Sequence, residues 1–181
     1  MSKAIADLLH EHEAISSAIQ TLKRILAAME KAAAMDTPDM RDFIVFLNEF
    51  VDKCHHGKEE QYLFPAMLGA GIRDKGGPVG VLLSEHAMGR QLIREMQDSI
   101  AAEVDLVKLA KAARELASLY RKHIHKEDMI MFPMAERVLA APQLEMLYEG
   151  FEEFEKKVVG QGRHAELHAM LKSLQEKYPM K

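Results

Sequence analysis

The feature that most constrains this chain is a motif written twice. His55-x-x-x-Glu59-Glu60-x-x-x-Phe64-Pro65 returns as His123-x-x-x-Glu127-Asp128-x-x-x-Phe132-Pro133. The dipeptide Glu11-His12 precedes the first copy, and Glu85-His86 precedes the second. The copies stand 68 residues apart from His55 to His123 and 74 residues apart from Glu11 to Glu85. Each piece lies in an apolar stretch of helical period. Ile5, Leu8, His12, Ile15, Ile19, Leu22, Leu26 and Met29, for example, recur at intervals of three and four, the seam of a bundle helix. Two tandem helix pairs of this length predict an all-α fold, an antiparallel up-down four-helix bundle.

Breakers divide the chain accordingly. Helices are expected over 3–35, 39–68, 78–102 and 105–139, separated by Asp36-Thr37-Pro38, the glycine-rich stretch 69–77 and a short turn before Asp105. Pro65 is expected to kink or end the second. The inward face of the fourth is read as Leu109, Leu116, Leu119, Tyr120, Ile130 and Met134. Beyond the bundle, 1–140, an extension over 141–181 carries one or two further helices, 142–159 and 164–178, expected to pack on it.

Composition narrows the function classes. The chain has 181 residues, 48% apolar and 29% charged, which suits a soluble globular protein and not a disordered one. The net charge of −4 is spread along the chain, so no nucleic-acid or membrane partner is expected. No apolar run approaches membrane-span length, and Asp7 and His10 come too early for a signal peptide. A single cysteine, Cys54, excludes an internal disulfide and fits a cytoplasmic location. It reads as a small buried apolar residue.

Nine histidines are left to explain. Helical phase puts His12, His55, His86 and His123 inward, one per helix. His10, His56 and His125 fall outward; Asp52, Glu49 and Glu60 surround His56. Glu59 and Glu127 stand one turn after His55 and His123, on the same inward face. Two buried carboxylates need positive charge, and the sequence offers little at that level beyond Arg90. A pair of metal ions meets the need, and imidazole with carboxylate suits iron or manganese better than a structural zinc. Glu-x-x-His and His-Glu-x-x-His are both absent, which excludes the ferritin-like and zincin patterns.

These pieces, in this order over roughly residues 5–135, resemble the hemerythrin-like (HHE cation-binding) family. The resemblance implies a non-haem di-iron centre. In it His12, His55, His86 and His123 are terminal ligands, and Glu59 and Glu127 bridge two irons with an oxo or hydroxo group. Oxygen-carrying members have a further histidine where this chain has Arg90, so one iron lacks a ligand or takes another group. His164, on the last helix, is one candidate for that place; a packing role is the other. Glu60 and Asp128 are expected just outside the metal ligands, with Glu11, Glu85, Tyr62 and Tyr120 as candidate hydrogen-bond partners of the histidines.

Three functions follow from the resemblance. The centre binds O2, peroxide or NO for storage, sensing or scavenging; or it turns over as a peroxidase, catalase-like or NO-detoxifying enzyme; or it donates iron for iron–sulfur cluster repair. The partners expected are those small ligands and an electron-donor protein, with the chain a monomer or homodimer.

Overall fold

A computed structural model describes residues 1–32, 37–101, 104–160 and 162–179. Among these the fold is all-α. Helix α1 is Lys3–Ala32. Helix α2 runs unbroken through an α-helical start at Thr37–Phe46, π-helical stretches at Leu47–His56 and Glu59–Leu63, and an α-helical end at Phe64–Gly69. Helix α3 is Pro78–Asp98. Helix α4 runs from Leu106–Lys126 through a π-turn at Glu127–Met131 into Phe132–Val138. Helices α5, Ala141–Val158, and α6, Arg163–Lys177, complete the chain. The expected first-helix end at 33–35 and third-helix end at Ala102 lie outside the described residues.

Local chemistry sets several boundaries. Pro38 and Pro78 occupy the first turns of α2 and α3, where a missing N–H costs nothing. Asp105 caps α4, its carboxylate accepting from the Lys108 N–H at 2.9 Å. Gly160 and Gly162, at φ +94° and +85°, provide the left-handed backbone that turns α5 into α6.

Pro65 and Pro133 do not end their helices. Each follows a π-turn in which the Phe64 or Phe132 N–H donates to the carbonyl of Glu59 or Glu127, five residues back. The wider turn relieves the clash a proline ring makes with the preceding α-turn. The same widening corrects the expected faces of the helices. Ile130 is exposed, and Met131 and Phe132 are buried in its place.

The core has two parts. One gathers Ile15, Leu22, Phe43, Phe50, Ile93 and Leu116 with Leu167 and Leu171 of α6. The other gathers Leu8, Leu63, Phe64, Leu82, Met131 and Phe132 with Leu144 and Phe151 of α5. Every bundle helix passes from one to the other through a polar level: Leu8–His12–Ile15, Val51–His55–Leu63, Leu82–His86–Leu92, Tyr120–His123–Met131. A polar layer sealed between two apolar clusters is the frame of the site. Helix α5 lies against α1 and the π-helical middle of α2, and α6 against the start of α2.

Candidate metal centre

The four inward histidines meet as two pairs. His12 Nε2 stands 3.0 Å from His55 Nε2, and His86 Nε2 stands 3.1 Å from His123 Nε2. Glu127 reaches both pairs, Oε2 lying 3.2 Å from His12 Nε2 and Oε1 3.2 Å from His123 Nε2. Glu59 does the same from the other side, with Oε2 at 3.4 Å from His86 Nε2 and 3.8 Å from His55 Nε2. All six side chains are buried, and none of the four carboxylate oxygens has a hydrogen-bond partner. Such oxygens are costly to leave unmatched.

The opposite ring nitrogens are occupied. His55 Nδ1 pairs with Glu11 Oε2 at 2.9 Å, and His86 Nδ1 with Glu60 Oε1 at 2.7 Å. His123 Nδ1 pairs with Glu85 Oε2 at 2.9 Å, and His12 Nδ1 with Asp128 Oδ1 at 2.6 Å. Each helix thus supplies a carboxylate to the histidine of the next, and α4 closes the ring back on α1. Each Nε2 therefore faces the middle, and in the tautomer with Nδ1–H donating outward its lone pair is the one a metal ligand needs. The phenylalanines of the repeated motif brace the same rings. Phe132 stacks on His12 at 5.2 Å, and Phe64 on His86 at 5.7 Å, each crossing between hairpins.

Cations hold the ring of carboxylates. Lys58, only 1% exposed, donates from Nζ to Glu11 at 2.8 Å, Asp7 at 2.9 Å and Glu155 of α5 at 3.0 Å. Burial pushes the Glu11 carboxyl up, but His55 and Lys58 bring it down to about 2. Lys126 binds Glu85. Arg90 donates from Nε to Asp52 at 2.6 Å and from Nη2 to Glu60 at 2.5 Å. The positive charge at this level is therefore larger than the sequence suggested, because Lys58 lies inside. Glu11, Cys54 and Glu155 also come together, but Lys58 already bonds both carboxylates, so this cluster is an ion-pair network.

The buried carboxylates act on the histidines around them. Burial alone would lower the pKa of His12 and His123, but Asp128 and Glu127 raise His12 to about 9, and Glu127 and Glu85 raise His123 to about 10. These charges hold the Glu127 carboxyl well below its ordinary value despite complete burial.

The residues present fit metal ions. Two nitrogens about 2.1 Å from one ion and at right angles stand about 3.0 Å apart, the spacing of both histidine pairs. Four donors that could hold one ion are His12, His55, Glu59 and Glu127; four for another are His56, Glu59, His86 and His123.

His56 corrects the sequence reading. It was expected at the surface, yet it is 1% exposed, with its ring stacked on His86 at 3.8 Å. The π-helical stretch Leu47–His56 alters the rotation per residue and brings Cys54, His55 and His56 all inside. His10 and His125 are exposed, as the α-helical phase predicts. His164 and Arg90 share no partner among the described residues. The His164 ring contacts Phe50 and His168, and its nearest carboxylate is Glu155 at 4.0 Å. Tyr120 is buried with no partner for its hydroxyl, so it meets His56 and His123 by ring contact alone, and Tyr62 packs on Phe151 and Phe154.

Comparison with known proteins agrees with this geometry. The chain is 24% identical over 161 residues to two Mycobacterium tuberculosis proteins and one Mycobacterium bovis protein, each described as uncharacterized. The alignment covers 86% of this chain and 62% of each relative, so the chain spans less than two thirds of their length. No solved structure matches. Among the described residues no helix is long and apolar enough to cross a membrane. Residues 3–135 match the hemerythrin HHE cation-binding domain, and the chain belongs to that family.

Proposed function

We propose that the polar layer holds two iron ions, bridged by Glu59 and Glu127, and that the pair binds a small ligand of the class of O2, peroxide or NO. The observation that carries this reading is the pairing of Nε2 atoms at 3.0 and 3.1 Å with two unpartnered carboxylates spanning the pairs. When bound, iron supplies a redox-active position at which such a ligand coordinates.

The chain's own residues do the rest. The carboxylate ring keeps each imidazole oriented, with Nδ1 held outward and Nε2 turned to the middle of the layer. The apolar clusters on either side exclude bulk water from the layer. A surface groove lined by Leu9, His12, Ser16 and Asp128 gives a small solute a route to the His12 edge. The lone buried Cys54 supports a cytoplasmic setting.

The test is metal analysis followed by anaerobic reduction and exposure to O2, peroxide and NO in turn. Two irons per chain and a reversible spectral change with O2 or NO are expected. A single zinc per chain would overturn the reading, and steady O2 evolution from peroxide would move it from binding to catalysis.

A further inference from the structure

The two halves of the layer are not equally furnished. In the repeat, His56 corresponds to Ile124, and Arg90 corresponds to Ser16. Only the half around His86 and His123 therefore has a third imidazole nearby. One ring nitrogen of His56 lies within 4.8 Å of donor atoms of Glu59, His86 and His123. Its Nδ1 is buried without a hydrogen-bond partner. The closest carboxylate is Asp52, with Oδ1 at 3.5 Å, and Asp52 is itself fixed by Arg90 Nε at 2.6 Å.

We propose that His56 is a fifth imidazole ligand, binding through Nε2 the ion held by His86 and His123. The proposal rests on the metal-centre reading above. The π-helical stretch delivers the ring, and the side chain at position 90 changes its task. Arg90 anchors Asp52 and Glu60, the carboxylates behind His56 and His86, instead of binding metal itself. Asp52 stands behind His56 as Glu11, Glu60, Glu85 and Asp128 stand behind the other four, with Oδ1 3.5 Å from Nδ1, the nitrogen turned away from the ion. The two ion positions consequently differ, one with three histidines and one with two.

The competing role for His56 is that of a flat plate packed on His86. His56→Phe keeps the plate and removes the donor. The probe is cobalt(II), titrated into the metal-free full chain by calorimetry and followed by its visible absorption. In the wild type two ions per chain are expected. In His56→Phe one binding step should weaken at least tenfold with loss of its absorption, while the other step stays. A wild type that takes only one cobalt, weakened in His56→Phe, supports His56 as a ligand and removes the two-ion reading. A His56→Phe protein that matches the wild type in number, affinity and absorption overturns the proposal, and the wild-type stoichiometry then judges the pair by itself. Asp52→Asn, at a half-buried position, covers the case in which His56→Phe does not fold. It should weaken the same step by roughly 10–100-fold, and wild-type binding in Asp52→Asn overturns the proposal as well.

Discussion

Position for position, the α1–α2 hairpin and the α3–α4 hairpin agree in the histidine and glutamate that meet at the polar layer and diverge beside them. Cys54, Gly57 and Lys58 of α2 are buried, whereas their counterparts in α4 are Lys122 and His125, both exposed, and Lys126, a third exposed. The cause is α5. It lies along α1 and the π-helical part of α2, and Phe154 presses so close that a Cβ on Gly57 would meet its ring at 2.5 Å. Among the described residues α5 packs far less on the α3–α4 hairpin, and the matching face of α4 carries charge. The duplicated donors thus report the requirement of the site, and the diverged neighbours report which side is covered.

The largest expected effect tests what the halves share. Glu127→Ala removes the carboxylate that reaches His12 and His123 at 3.2 Å on each side. Bound iron should fall to one ion per chain or none, with loss of the near-ultraviolet band of a bridged pair. Iron content and spectrum at wild-type values would show that Glu127 is not a bridge.

The next effect tests what they do not share. Lys58→Met strands Glu11 in the interior with one cation fewer, and breaking a buried ion pair costs about 3–5 kcal/mol. Lys126→Met removes the corresponding cation from a partly exposed pair with Glu85, a loss of about 1 kcal/mol or less. Urea unfolding of the two variants measures the contrast. Equal losses would mean that α5 contributes nothing to the difference between the halves.

A smaller effect is spread over pH. His12 and His123 have folded pKa values of about 9 and about 10, raised from an ordinary 6.5. A raised pKa gives stability that is fully present below about 6.5 and lost as pH climbs through 9 to 10. The metal-free protein should therefore melt at progressively lower temperature over that window. Metal ions replace those protons, so their binding should tighten with rising pH and flatten the melting profile. A metal-free melting temperature that is constant from pH 7 to 10 would show that these two histidines hold no protons.

The six side chains that meet in the polar layer were legible because they obey one period and appear twice. Four α-helical seams with a histidine in each, and a glutamate one turn on in two of them, lead to His12, His55, Glu59, His86, His123 and Glu127 without any structure. Even the carboxylate ring could be anticipated in outline, since Glu60 and Asp128 directly follow those glutamates. His56 was not legible, because an α-helical count through α2 assigns it to the outside, and a π-helical stretch has no strong composition of its own. A hint was present in Pro65 and Pro133, each six residues after a donor glutamate and each in mid-helix. Lys58 was not legible for a different reason. Its burial is made by Glu155 and Phe151 of α5, nearly a hundred residues later, and local pattern does not record so distant a cover.

The smallest expected effect concerns the covered side itself. His164 stands on α6, half-buried, with its ring 5.2 Å from Phe50 and 4.7 Å from His168. These are packing contacts at the edge of the larger apolar cluster, to which Phe50 belongs. His164→Ala should cost about 1 kcal/mol or less in stability and leave iron content and absorption as in the wild type. His125→Ala, on the uncovered face of α4, should leave them unchanged too. If His164→Ala alone altered the spectrum, the extension would have to reach the metal layer as well as cover it. The difference between the two hairpins would then lie in ligation, not only in burial.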